Sequence, residues 1–179
     1  HPPLPVRGVG DSDGAFAAST LSSRLADLRA VADAFDLGRF AVVGSSFGGC
    51  VAVHAAARDP RVTALVLRAP VTDLSRYDDR RREVEREGSW EHPSGHAVDE
   101  RLFEDVATYD TAAAAAEVDV PVAVVHGADD ETVPPEDSFR FAAHLDGDAE
   151  VRQVAGEDHT FSPGAEATFR ETTRRWLDR

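Results

Sequence analysis

Apolar residues fall along this chain in short unbroken runs, and the stretches between the runs carry them at helical spacing. Residues 40–43 (FAVV), 62–67 (VTALVL) and 121–126 (PVAVVH) have the length and β-branched content of buried parallel strands. Residues 149–154 alternate apolar with charged or polar side chains, which reads as an edge strand with one apolar face. Leu21, Leu25, Leu28, Ala32 and Phe35 stand three and four apart within residues 17–37, with serine and threonine near the start and Gly38 near the end, as in an amphipathic helix. From Phe47 onward Cys50, Val51, Val53, Ala55, Ala56 and Ala57 predict an almost fully buried helix, stopped by Asp59 and Pro60. Prolines open another helix that continues through residues 139–145, and Phe169, Thr173 and Trp176 mark a last one over 165–177. This alternation predicts an α/β fold, a mostly parallel sheet flanked by helices, in a single domain spanning 1–179.

Two stretches depart from the rhythm. Residues 1–16 hold three early prolines and then RGVGDSDG, a loop with room for no strand longer than residues 4–7. Residues 71–117 contain RYDDRRREVERE, whose opposite charges at i, i+4, such as Asp78 with Arg82 and Arg81 with Glu85, suit a solvated helix. Trp90 and Phe103 give this stretch apolar surface to lay over something, so it is read as a helical, cap-like insertion. His92 and His96 stand four apart, but Pro93 and Gly95 break the helix that would put both on one face, which argues against a metal pair.

Chemistry enters where the run 40–43 breaks. Gly44, Ser46 and Gly48 fit G-x-S-x-G, in which a serine sits on a sharp strand-to-helix turn. A backbone folded that tightly brings together the residues two before and two after the serine, so glycine is expected at both. Ser45 has Val43 and Phe47 in those places, which leaves Ser46 as the candidate nucleophile. The following helix aims its first N–H groups at the serine, and the backbone N–H of Phe47 is the candidate oxyanion donor. A serine nucleophile needs a base and an acid to orient it, both on loops after strands. The loop after 121–126 offers Asp129, Asp130 and Glu131; the loop after 149–154 offers His159, whereas His54 and His144 lie on helices and His126 ends a strand.

GSSFGG at 44–49, HGADDETVPPE at 126–136 and GEDHTF at 156–161 together resemble α/β-hydrolases of the serine esterase and peptidase type, near the dienelactone-hydrolase and serine-aminopeptidase branches. RGVGDSDG looks like that family's loop after strand 4, and the resemblance covers nearly the whole chain outside 71–117. It implies a Ser46, His159, Asp130 triad, because the family's acid stands four residues after the histidine of HGxxD. It also implies cleavage of an ester, thioester or amide of a small-molecule acyl substrate, with no cofactor and no metal. A member of the family would carry further strands before RGVGDSDG, including the loop that supplies the second oxyanion donor. The chain is accordingly expected to be an N-terminally truncated fragment, with a non-catalytic remnant as the alternative and an exposed sheet edge open to self-association.

Composition changes the picture in one respect. Among 179 residues, 33 acidic and 19 basic ones give a net charge of −14, and every basic residue is arginine. Such a surface repels nucleic acid and anionic lipid, and acid excess without lysine suggests a halophile, whose salt screens the repulsion. The absence of long apolar runs and of a signal-peptide layout leads to a soluble, cytoplasmic expectation with no membrane partner. The lone Cys50 excludes an internal disulfide and reads as a packing residue.

Overall fold

A computed structural model describes residues 13–92 and 95–178 of the chain. In chain order its elements are α1 (Leu21–Ala34), β1 (Phe40–Ser45), α2 (Phe47–Ala56), β2 (Val62–Arg68), α3 (Asp78–Glu87), β3 (Trp90–Glu91), β4 (Ala97–Val98), α4 (Glu100–Val106), α5 (Thr111–Ala116), β5 (Val122–Gly127), α6 (Pro135–Ala142), β6 (Ala149–Val154) and α7 (Pro163–Leu177), with short 3-10 turns at Phe16–Ala18 and Leu74–Tyr77. They form two compact units. One takes the described residues through Leu37 together with Leu74–Asp110, the other Gly38–Asp73 together with the chain from Thr111 onward. The loop RGVGDSDG and the short strand expected at 4–7 fall largely or wholly outside the described residues.

The second unit is built on a four-stranded, all-parallel sheet in the order β1-β2-β5-β6. The four strand runs read from the sequence are these four strands, and two of the three apolar ones, β2 and β5, are the inner pair. Every residue of β5 is buried, as expected for a strand covered on both faces. On one face Leu65, Leu67, Val122 and Val124 pack with Ala52 and Val53 of α2, Ala114 and Ala115 of α5, and Phe141 of α6. On the other, Ala64, Val66 and Ala123 meet Trp176 of α7, and Val125 meets Phe161 and Ala165. Each fully buried valine or leucine contributes about 1.5–3 kcal/mol, so this double-sided core holds the strand ends still. β6 is an edge strand with no fully buried residue. Among the described residues β1 pairs only with β2, and Val43 is 50% exposed.

The first unit contains α1, α3, the β3–β4 hairpin and α4. Thr20 caps α1, its side chain accepting from the Ser23 N–H at 3.2 Å. The Ser22 N–H donates to Asp105 of α4 at 2.9 Å, and the hydroxyls of Ser22 and Tyr109 lie 2.7 Å apart. Val84, Val98 and Phe103 form a small buried cluster with Phe16, Tyr77, Trp90 and Leu102 around it. The solvated helix read from RYDDRRREVERE is α3, and the Arg81–Glu85 pair is present at 3.1 Å. Arg82, however, pairs with Asp79 rather than Asp78, because i, i+3 neighbours also share a helix face. The hairpin and α4 escape a periodicity reading because they are two and seven residues long. Phe35, assigned to the apolar face of α1, lies beyond its end and is 74% exposed. Phe16 stacks on His96 with ring centroids 4.5 Å apart, and Trp90 meets His92 edge-on at 5.3 Å.

Candidate active site

Ser46 stands between β1 and α2 with φ 53° and ψ −122°, a conformation a non-glycine residue adopts only when its surroundings hold it there. They do so through the backbone: the Ser46 N–H donates to the Arg68 carbonyl at 2.9 Å, and the Ser46 carbonyl accepts from Gly49 at 2.9 Å and Val71 at 3.0 Å. A Cβ at Gly44 would lie 2.5 Å from the Gly48 carbonyl oxygen, which explains the first glycine of the motif. The reason expected for the second does not hold, since a Cβ at Gly48 would meet nothing within 4 Å. The crowded position is Gly49, whose Cβ would lie 2.5 Å from the Pro70 ring. Phe47 opens α2, so its N–H belongs to the helix's positive end beside the serine.

His159 lies on the loop between β6 and α7, and Asp130 on the loop between β5 and α6. Parallel strands end side by side, so two loops far apart in sequence meet the elbow at the carboxyl end of the sheet. Ser46 Oγ is 3.0 Å from His159 Nε2, and His159 Nδ1 is 2.7 Å from Asp130 Oδ2. These distances assign the hydrogens: Nδ1–H donates to the carboxylate, and Nε2 accepts from the serine hydroxyl. The Asp130 side chain has no exposed surface, whereas that of His159 retains 25% of its own. Buried carboxylates require full hydrogen bonding. Asp130 Oδ1 accepts from the N–H groups of Thr132 at 2.9 Å and Val133 at 2.8 Å, and Oδ2 has His126 Nε2 at 3.1 Å besides His159. Asp129 does not reach this arrangement; its N–H instead holds the histidine loop, donating to the Glu157 carbonyl at 2.9 Å.

Several residues that build the site carry no motif of their own. A Cβ on Gly127 would come within 2.3 Å of the Glu157 carbonyl oxygen, so only glycine lets the acid loop and the histidine loop lie together. Arg68, at the end of β2, donates to Ser45 Oγ at 2.9 Å, pairs with Glu166 at the start of α7, and lies over the Phe161 ring at 5.3 Å. The only signal for Gly127 was its place after His126 in HGADD; for Arg68 there was none, since its partners come from two distant segments, the elbow and the start of α7 with the loop before it. Cys50 is fully buried and 3.7 Å from the Thr111 hydroxyl, and burial pushes its thiol up to about 11, so it stays protonated and inert. Among the described residues no group of histidine, cysteine and carboxylate side chains is arranged to hold a metal ion, and no helix is long and apolar enough to cross a membrane.

Solved structures share this fold. The alpha/beta hydrolase domain-containing protein 10 from mouse is 26% identical with a TM-score of 0.84, over 97% of this chain and 75% of that one. Est1E from Butyrivibrio proteoclasticus, solved with ferulic acid bound, is 22% identical and shares the fold with a TM-score of 0.81, over 97% and 76% of the two chains. The fold is that of the α/β-hydrolases, as the three motifs implied. The model of the prolyl oligopeptidase family matches residues 23–179, and the chain belongs to that family. Among curated relatives, the human mitochondrial palmitoyl-protein thioesterase ABHD10 is 30% identical over 166 residues, which is 85% of this chain and 54% of the relative. The rat protein of that name is 30% identical over 148 residues, 75% of this chain and 50% of its own length. The chain spans about half the length of the curated relatives it matches.

Proposed function

We propose that this chain carries the catalytic triad of a serine hydrolase that cleaves acyl esters and thioesters through an acyl-enzyme on Ser46. The observation that carries the reading is the continuous relay from Ser46 Oγ to His159 at 3.0 Å and from His159 to Asp130 at 2.7 Å. His159 Nε2 takes the hydroxyl proton as Ser46 attacks the acyl carbon, and Asp130 keeps the imidazole in the required tautomer and balances its transient positive charge. The Phe47 N–H stabilises the oxyanion. Collapse of the tetrahedral intermediate expels the thiol or alcohol, which receives the proton from His159 Nε2. Water, deprotonated by the same nitrogen, then releases the acid and restores Ser46.

The choice of thioester and ester over peptide rests on the relatives at 30% identity being named palmitoyl-protein thioesterases, although the family itself is named for a peptidase. A fluorophosphonate probe and three substrates with a common acyl group, as thioester, oxygen ester and amide, test it. The expected result is labelling lost in Ser46→Ala and faster turnover of thioester and ester than of amide. Labelling that survives Ser46→Ala overturns the nucleophile, preferred cleavage of the amide overturns the substrate class, and an unlabelled wild type supports the non-catalytic remnant instead.

A further inference from the structure

His126 is the last residue but one of the inner strand β5 and has no exposed surface, and its ring has three polar neighbours. Nδ1 is 2.6 Å from Ser138 Oγ on α6, while Nε2 is 2.9 Å from the Val133 carbonyl oxygen and 3.1 Å from Asp130 Oδ2. A carbonyl oxygen can only accept, so Nε2 carries the hydrogen and Nδ1 accepts from the Ser138 hydroxyl. The one N–H is therefore shared between the carboxylate and a carbonyl three residues beyond it. The ring thus ties the end of β5 to two points of the loop that carries Asp130 and to α6 beyond it.

This matters because the Asp130 carboxylate has one anchored oxygen and one working oxygen. Oδ1 is held by the N–H groups of Thr132 and Val133, which belong to the same loop as Asp130, so these bonds fix the carboxylate to its loop and do not tie it to the strand; His126, on β5, supplies that tie through Oδ2 and the Val133 carbonyl. Oδ2 is the atom His159 uses, and His126 is its second donor. We propose that His126, its tautomer set by Ser138 and Val133, is a positioning residue that holds Asp130 Oδ2 where the His159 Nδ1–H meets it. It acts through Asp130, exchanges no proton in the reaction, and reaches Ser46 only by way of that carboxylate and His159.

The proposal rests on the triad reading above, and one arm of its test needs no turnover. In proton–nitrogen spectra of the histidine side chains, His126 gives the Nε2–H tautomer and the His159 Nδ1–H gives a far-downfield proton. That proton moves upfield in His126→Leu and is retained in His126→Gln, whose amide N–H reaches toward the same place. In the second arm, His126→Leu lowers kcat on the thioester about tenfold with KM within about twofold. His126→Gln restores most of it, and in an Asp130→Ala background His126→Leu costs less than about twofold more. If the leucine variant does not fold, Ser138→Ala takes its place and moves the His159 proton the same way by less. An unmoved His159 proton in a folded variant, or a tenfold loss that persists without the Asp130 carboxylate, overturns the proposal. A wild type that no fluorophosphonate labels defeats the triad reading, while the spectra still judge the position of Asp130.

Discussion

In the sheet unit, strands β2 and β5 bury side chains on both faces against α2, α5, α6 and α7. In the unit of α1, α3, the hairpin and α4, a small cluster around Val84, Val98 and Phe103 is accompanied by side-chain hydrogen bonds and surface ion pairs. Ser46, Asp130 and His159 all belong to the first kind of construction. Hydrogen bonds of 2.7 and 3.0 Å between side chains on three separate loops need loop bases that stay in place, since a misplacement of about 1 Å can cost a hundredfold in rate, and a close-packed parallel sheet supplies such bases. Short helices laced by exposed pairs, each worth about 0–1 kcal/mol, order a surface without making it rigid. The candidate chemistry is thus placed in the doubly packed unit and not in the unit of helices and surface pairs.

The strongest way to sharpen this contrast is to strike the chemistry and leave the packing alone. Ser46→Ala should lower turnover roughly a million-fold, and Asp130→Asn about ten-thousand-fold, with melting curves of Ser46→Ala close to wild type. Ser45→Ala should keep most fluorophosphonate labelling, because Ser45 Oγ accepts from Arg68 and is not bonded to His159. Loss of labelling in Ser45→Ala and its retention in Ser46→Ala would reverse the assignment.

Core truncations then probe the packing itself. Leu65→Ala should cost about 2–5 kcal/mol and lower protection from hydrogen exchange throughout β1, β2 and β5. Phe103→Ala, at a comparable cost of about 3–5 kcal/mol, should raise exchange within 74–110 and leave the sheet protected. Exchange that rises equally in both regions with either substitution would show the two constructions to be one cooperative whole.

Acid should weaken the helical unit before the sheet. Burial, and then the charges of Arg24 and His96, hold the His92 imidazole below its ordinary value, so the folded state binds fewer protons there than the unfolded chain. The His92 contribution is therefore complete above about pH 6.5 and is lost as pH falls below it. Exchange within α1 and the hairpin measured between about pH 7 and 5 should rise in wild type and respond less in His92→Phe. The smallest effect is expected on the surface of α3. Arg81→Ala, which removes a pair between half-exposed partners, should shift stability by less than about 0.5 kcal/mol, and a larger loss in thermal melts would mean α3 is held by more than its solvated face.

Much of this was legible in the sequence for a physical reason. Buried strands must be apolar on both faces, a tight elbow needs Gly44, and a triad needs its serine, acid and histidine on loops after successive strands. The four strands of the parallel sheet, the long helices and the positions of Ser46 and His159 therefore follow from local pattern and order. The sequence left Asp129, Asp130 and Glu131 open until family resemblance chose among them, and distance now separates Asp130 from Asp129. What only the tertiary structure decided are contacts between residues with no local relation: Arg68 joining Ser45, Phe161 and Glu166, Gly127 yielding to Glu157, Gly49 to Pro70, and His126 turning from an ordinary strand residue into the second donor of the acid. Periodicity reports which face of an element is buried, but the partner waiting at that face comes from the packing of distant segments, and that is a property of the folded chain alone.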